Sequence, residues 1–379
     1  MQVKLNLIAA AAAAIFVGSV SAQDLVVKIG HVGPTSGGSA HLGKDNENGA
    51  RMAIDDLNAK GVMIGGKKAK LELLAEDDAG DPKQGTAVAN KLVDAKVNGV
   101  IGHLNSGTTI PASKIYFDAG IPQISPSATN PTYTRQGFKT AFRVVADDAQ
   151  LGGTLGRYAV KELKGKSIVT IDDRTAYGQG VAEEFAKAVK ASGGAIQDTQ
   201  YTTDKATDFT AILTAVKAKK PDIIFYGGMD AVAGPMIRQM KQLGISGKFM
   251  GGDGICSSEL PKLAGGAMAD GEVVCAEAGG VEGEQKTGMA KFRDDYKKRF
   301  GTDVQIYAPY VYDAVHVMVA AMEKAGSADP AKYLPALAAT NYKGVTGPIA
   351  FDSKGDIKNG ALTIHTYKDG KMQDIAVVR

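Results

Sequence analysis

From Leu25 onward, short β-branched runs alternate with segments of helical periodicity, and the alternation fills two successive stretches of the chain. Leu25–Val32 is the first such run. After a Gly/Ser loop, Ala50, Ala53, Ile54 and Leu57 recur at i, i+3, i+4 and i+7, one face of a helix. Lys70–Ala75 predicts a second strand. Asp81-Pro82 then opens a helix, with Asp as N-cap and Pro at the first helical position. Strands are expected at Val97–Gly102 and Ile121–Ser125, with a helix near Thr109–Ala119 between them. The pattern restarts with a helix at Leu151–Leu163, a strand at Ser167–Asp172 and a helix at Gly180–Ala191. It continues through Ile196–Tyr201, Phe209–Lys219, Asp222–Gly227, Ala231–Leu243 and Lys248–Gly252. Strands joined through helices imply a mostly parallel sheet covered on both faces. The expected fold class is therefore α/β, with two Rossmann-like units of similar build. No repeat at the residue level relates them. The remaining stretch, Glu284 to Ala339, is mostly helical: Met289–Phe300, Pro309–Ala325 and Ala331–Ala339.

The N-terminus decides the compartment. Lys4 precedes an uncharged apolar run, Leu5 to Val20, that ends in Val20-Ser21-Ala22. That is the basic start, apolar stretch and small-residue site of a secretory signal peptide, with cleavage expected after Ala22. The apolar run is shorter than the ~20 residues that span a bilayer. No Cys near the site suggests lipid attachment, and no later segment is long and apolar enough to cross a membrane. Residues 23–379 are too many for one ordinary core, so two domains are expected. The formal charge of +3 is spread along the chain without the basic stripe that nucleic acid requires. In an oxidising compartment the only two cysteines, Cys256 and Cys275, read as one disulfide. Zinc would want four ligands, and no His lies close in sequence to either Cys.

In an open α/β sheet, ligands bind beyond the carboxyl ends of the strands. After the third strand come His103-Leu104-Asn105-Ser106-Gly107-Thr108-Thr109, and after the fourth Pro126-Ser127-Ala128-Thr129-Asn130. Backbone N–H groups at a helix start, with Ser or Thr hydroxyls, suit a carboxylate. The same residues cap helices everywhere, so each turn alone reads as a cap. In the second unit the turns carry Asp173 to Gly178, Gly227 to Asp230, and Asp253-Gly254. Asp253 could hold an ammonium group, although a solvated turn is the plainer reading of it alone. Enzyme signatures fail: there is no GxGxxG after the first strand and no GxxxxGK[ST], GxSxG or HExxH. The five histidines, His31, His41, His103, His316 and His365, are scattered. The acidic run Glu76-Asp77-Asp78 with Asp81 lacks the Gly and downstream Glu of an EF-hand, so a solvated, helix-capping role is expected. No metal or cofactor is expected.

Together these turns resemble the type I periplasmic binding proteins, specifically the leucine/isoleucine/valine-binding proteins of branched-chain amino acid ABC transporters. The stretches that carry the likeness are Asp77 to Gln84, Val88 to Lys91, Ile101 to Ser106, Pro111 to Ser113 and Ser125 to Thr129. Tyr177-Gly178, Tyr226-Gly227-Gly228, Phe249-Met250-Gly251 and Gly347-Pro348 follow in the same order. The resemblance implies two lobes joined by three crossovers, near Ala146, Ala276 and Asn359. Lobe 1 would comprise 23–146 and 277–358, and lobe 2 would comprise 147–276 and 359–379, so that the helical tail returns to lobe 1. It implies a monomeric binding protein that delivers an amino acid, branched-chain or otherwise apolar, to a membrane permease. The ligand carboxylate would be held by Ser106, Gly107 and Thr129, and its ammonium by Ser127, Thr129 and Asp253. The side-chain pocket would be formed by Leu42, Leu104, Asn105, Tyr177, Met229 and Tyr307. The apolar part departs from the family: aromatic residues are absent at Leu42 and Met229, and Asp253 stands where the pattern has Glu. Another small carboxylate or amide as cargo, or a sensory receptor in place of the permease, stays open.

Overall fold

The computed structural model describes residues 24–378, so the expected signal peptide lies outside the described residues. The first stretch contains β1 (Leu25–Gly33), α1 (Ala40–Lys60), β2 (Met63–Ile64), β3 (Lys67–Asp77) and α2 (Pro82–Asp94). It continues with β4 (Gly99–Gly102), α3 (Ser106–Asp118), β5 (Gln123–Ser125), the single turn α4 (Thr132–Arg135) and β6 (Ala141–Arg143). These strands form one sheet in the order β2-β3-β1-β4-β5-β6. Every pair in it is parallel except the short β2–β3 hairpin.

The second stretch runs α5 (Asp148–Lys161), β7 (Ile168–Asp172), α6 (Ala176–Ala191), β8 (Ile196–Tyr201), α7 (Thr210–Ala218) and β9 (Ile223–Gly227). There follow α8 (Asp230–Gln242), β10 (Lys248–Gly251), a 3-10 turn at Asp253–Ile255, α9 (Leu260–Leu263) and β11 (Val273–Glu277). The tail supplies α10 (Gln285–Phe300), α11 (Ala308–Ala325), α12 (Pro330–Ala338), the hairpin of β12 (Tyr342–Gly344) and β13 (Gly347–Ile349), then β14 (Leu362–Lys368) and β15 (Lys371–Val378). The second sheet has the order β15-β14-β11-β10-β9-β7-β8. It is not wholly parallel, because β14 and β15 pair antiparallel at its edge. Neither strand alternates cleanly enough to be read from sequence, and β15 is largely exposed.

The two sheets share one topology. In each, the first strand of the unit sits between the second and the third: β3-β1-β4-β5-β6 and β8-β7-β9-β10-β11. The crevice at such a reversal is where doubly wound sheets bind ligands. This repeat is one of strand order only, which is why residue comparison does not find it.

The helical tail packs on the first sheet. α11 is buried through Tyr310, Val311, Ala314, Val315, Met318 and Met322 and lies against α1, β4 and β5. The crossing segments hydrogen-bond to one another: Ala146 N–H to the Ala278 carbonyl at 3.1 Å, and the Thr363 hydroxyl to the Gly279 carbonyl at 2.9 Å.

Cys256 and Cys275 are bonded, with Cα atoms 5.6 Å apart, tying the segment after β10 to β11. Closing a loop of this size stabilises by about 3 kcal/mol in the chain-entropy account. Replacing both by alanine should lower the unfolding free energy by about that much in a urea titration. An unchanged midpoint would mean the bridge adds nothing.

Candidate functional site

Each turn singled out in the sequence follows the carboxyl end of a parallel strand, and the two sets of strand ends face each other. Between them lies a small, tightly closed-in cavity lined by Leu104, Asn105, Ser106, Ser127, Tyr177, Met229, Asp253 and Tyr307. All eight are among the residues the resemblance implies. Thr129 is fully buried in the same turn as Ser127. Leu42 belongs to the adjoining apolar cluster without lining the cavity, and Gly107 lies one residue inside α3. Larger grooves open on the surface, for instance beside Phe138 and Phe351, and another is lined by the buried Glu277, Tyr310, Thr363 and His365, but neither is lined by the turns singled out in the sequence.

The wall from the first sheet is a set of hydrogen-bonding groups without internal partners. α3 starts at Ser106, earlier than expected, because the Asn105 carbonyl already accepts from Thr108 and Thr109 N–H. The Asn105 side chain makes no capping hydrogen bond, so this helix presents an uncapped N-terminus to the cavity. The Ser106 hydroxyl accepts from Asn130 N–H at 3.2 Å, which leaves its proton free to donate. The hydroxyls of Ser127 and Thr129 are buried without a partner. Buried polar groups are ordinarily paired, so two orphans beside an uncapped helix mark a place built for a polar ligand.

That wall is held from behind. Arg143, at the end of β6, is wholly buried and donates to the Ala128 and Asn130 carbonyls at 3.0 and 2.9 Å. It also pairs with Asp356 and with the Thr134 hydroxyl. His103 is buried between Asp78 at 2.9 Å and the Tyr116 hydroxyl at 3.0 Å. Asp78 is thus a buried partner of His103, in place of the solvated or capping residue expected. Asp81 does cap α2, accepting from Lys83 and Gln84 N–H. Another buried acid, Asp148, follows the Thr129 turn, with its backbone N–H on the Thr129 carbonyl at 2.8 Å.

The opposing wall carries the charge. Asp253 is 1% exposed, and its two oxygens accept from the hydroxyls of Tyr177 at 2.8 Å and Tyr307 at 3.0 Å. Burial pushes the Asp253 carboxyl up to about 6, against the opposing pull of these two hydroxyls. Burial and the nearby Asp253 charge hold both tyrosines well above their ordinary range, so they stay protonated donors. Tyr177 lies in the first turn of α6, which starts at Ala176 because Thr175 caps it through Gly178 N–H at 3.0 Å. The sequence, with glycines at 178 and 180, reads this segment as a turn. Tyr307 is placed by Asp45, a residue the sequence did not single out. From α1, its buried carboxylate accepts N–H bonds from Gln305, Ile306, Tyr307 and Ala308 at 2.9–3.2 Å.

Chemically the cavity offers uncapped N–H groups and hydroxyl donors on one side and a desolvated carboxylate on the other. No nucleophile–base pair faces it among the described residues.

A family profile described as periplasmic binding protein matches residues 26–371. A leucine-, isoleucine-, valine-, threonine- and alanine-binding protein of Pseudomonas aeruginosa is 35% identical over 98% of this chain and 97% of its own. A Leu/Ile/Val-binding protein homologue of Brucella abortus is 37% identical over 95% of each chain. The crystal structure of a branched-chain amino acid transporter substrate-binding protein from Streptococcus pneumoniae, in complex with isoleucine, superposes with a TM-score of 0.82. It is 28% identical and covers 93% of this chain and 99% of its own. On a family match over residues 26–371 and a structural match over 93% of the chain, the chain belongs to the periplasmic binding proteins of type I fold.

Proposed function

We propose that this protein captures an amino acid between its two lobes and hands it to the membrane permease of an ABC transporter. The single observation that carries this reading is Asp253: a fully buried carboxylate, held by two tyrosine hydroxyls, across a cavity from unpartnered hydroxyls and a helix N-terminus. A zwitterion supplies the complement to both walls. Its carboxylate takes Ser106, the α3 N–H groups at Gly107 and Thr129. Its ammonium takes Asp253, Thr129 and the Ser127 carbonyl. The side chain lies against Leu104, Asn105, Tyr177, Met229 and Tyr307, with Leu42 behind them. A methylene gained or lost in such a pocket changes affinity by only about 1–3 kcal/mol, so several apolar amino acids should bind. The names of the relatives support the amino-acid class.

The lobes are taken as 23–146 with 277–358 and 147–276 with 359–379, hinged at the hydrogen-bonded crossings. Export through the signal peptide of residues 1–22 and action as a monomer in the periplasm complete the reading. Among the described residues no helix is long and apolar enough to cross a membrane. Protein unfolded, washed free of ligand and refolded should gain thermal stability with apolar L-amino acids. A shift with some unrelated metabolite and none with any amino acid would overturn the proposal.

The carboxylate also sets a pH dependence. An ammonium group requires Asp253 ionised, and binding it pulls the carboxyl down from about 6. Affinity is therefore full above that value and falls as pH drops through it, by about tenfold per unit below. Titration calorimetry between pH 7.5 and 4.5 should show this loss with proton release on binding. A flat affinity would exclude Asp253 as the ammonium partner.

A further inference from the structure

Six of the eight residues lining the cavity are buried, and on the two-lobe reading a ligand enters by the parting of the two sheets, so every contact that spans the cleft must break and re-form. One of these contacts touches no cavity atom. His41 Nε2, on α1 against the first sheet, lies 2.7 Å from Asp230 Oδ2, on α8 against the second. Asp230 is fully buried and also receives the Ser257 hydroxyl, while its other oxygen has no partner. The His41 side chain keeps 24% of its surface exposed, at the rim of the closed cleft. The lobes touch closely here: a Cβ on Gly38 would lie 3.2 Å from the Ala231 side chain.

We propose that His41 and Asp230 form a latch across the cleft that sets how long a captured ligand is held, and that protonated His41 closes it more firmly than neutral His41. This inference rests on the two-lobe capture reading above. A carboxylate sealed from water against a cation is strongly favoured over the same carboxylate sealed without one. Parting the lobes returns both groups to water, so the preference acts on the closed state alone, and hence on ligand release. The charged groups acting on His41 are Asp230, then Glu259 and Asp45, all acidic. Around Asp230 stand Ser257 and the hydroxyls of Tyr226, Tyr307 and Tyr367, none of them a base. Burial alone would lower the His41 imidazole, but the hydrogen bond and charge of Asp230 outweigh it and hold it above its ordinary range. A base raised in the closed state stabilises that state fully below its open-state value and loses the effect as pH rises through the closed-state value. Release should therefore quicken on the alkaline side, the opposite limb from that of Asp253.

The test is the dissociation rate of L-leucine from the full mature protein, by stopped-flow competition from pH 6 to 9, for wild type, His41→Gln and Asp230→Asn. Wild type should release about tenfold or more faster at pH 9 than at pH 6. His41→Gln, which keeps a donor but no charge, should release at the fast rate throughout, with association little changed. A His41→Gln protein with the wild-type rate and pH profile would overturn the latch. Asp230→Asn should abolish the same pH dependence, and retention of it would assign the titration elsewhere. If wild type binds no amino acid, the ligand reading fails and the latch is tested by itself through small-angle scattering. The wild-type envelope should then open between pH 6 and 9 and that of His41→Gln should not change; equal behaviour would overturn it.

Discussion

Replacing Asp253 by alanine should weaken amino-acid binding by about 100-fold or more. Truncating one partner of a buried, hydrogen-bonded charge pair costs about 2–5 kcal/mol, and each 1.4 kcal/mol is about tenfold. Two effects add in the same direction. The ligand ammonium would be buried without a counter-charge, and the Tyr177 and Tyr307 hydroxyls would each lose the carboxylate oxygen to which it now donates. Asp253→Asn keeps an acceptor for one tyrosine and should lose nearly as much, because the charge is what the ammonium requires. Calorimetry on the refolded variant with L-leucine reads the effect. A loss under about fivefold would place the ammonium elsewhere in the cavity.

The second large effect is on stability. Arg143→Met should destabilise the fold by about 3–5 kcal/mol, because removing one member of a buried ion pair strands the other. The groups that lose their bond to Arg143 are the Asp356 carboxylate, the carbonyls of Ala128 and Asn130, and the Thr134 hydroxyl, which keeps its bond to Asp356. Three of these belong to the segment after β5 that presents Ser127 and Thr129, so affinity should fall with stability. Urea unfolding measures the first and calorimetry the second. A stability loss below about 1 kcal/mol would show that water satisfies these groups. Asp356→Leu added to Arg143→Met should recover part of the loss, since burying a matched apolar pair can be nearly neutral.

Alternation was legible because buried parallel strands here are continuous β-branched runs, such as Ile168–Asp172 and Ile223–Gly227, separated by amphipathic helices. What escaped follows physical lines. β6 is three residues long, too short to show a period. β14 and β15 gain their place from a neighbour, β11, nearly a hundred residues earlier. The polar residues of the cavity could be read as caps or solvated turns until the resemblance gave them roles, because a lone Ser or Asp after a strand does both jobs. The supports of the site are invisible for a different reason. Asp45 meets the start of α11 across 260 residues, Arg143 meets Asp356 across 213, and His41 meets Asp230 across 189. No local pattern announces such pairs. Only the fold brings them together; Asp45 positions Tyr307, and Arg143 holds the turn that carries Ser127 and Thr129.

The zwitterion clamp is the central claim, and the most direct test compares two ligands that differ only at the ammonium. L-leucine and 4-methylpentanoate share the carboxylate and the branched side chain. Calorimetry of both against the refolded protein at pH 7.5 should show leucine bound and the acid weaker by about 100-fold or more. Equal affinities, or a tighter acid, would contradict the account and turn the cavity into a site for a simple carboxylate.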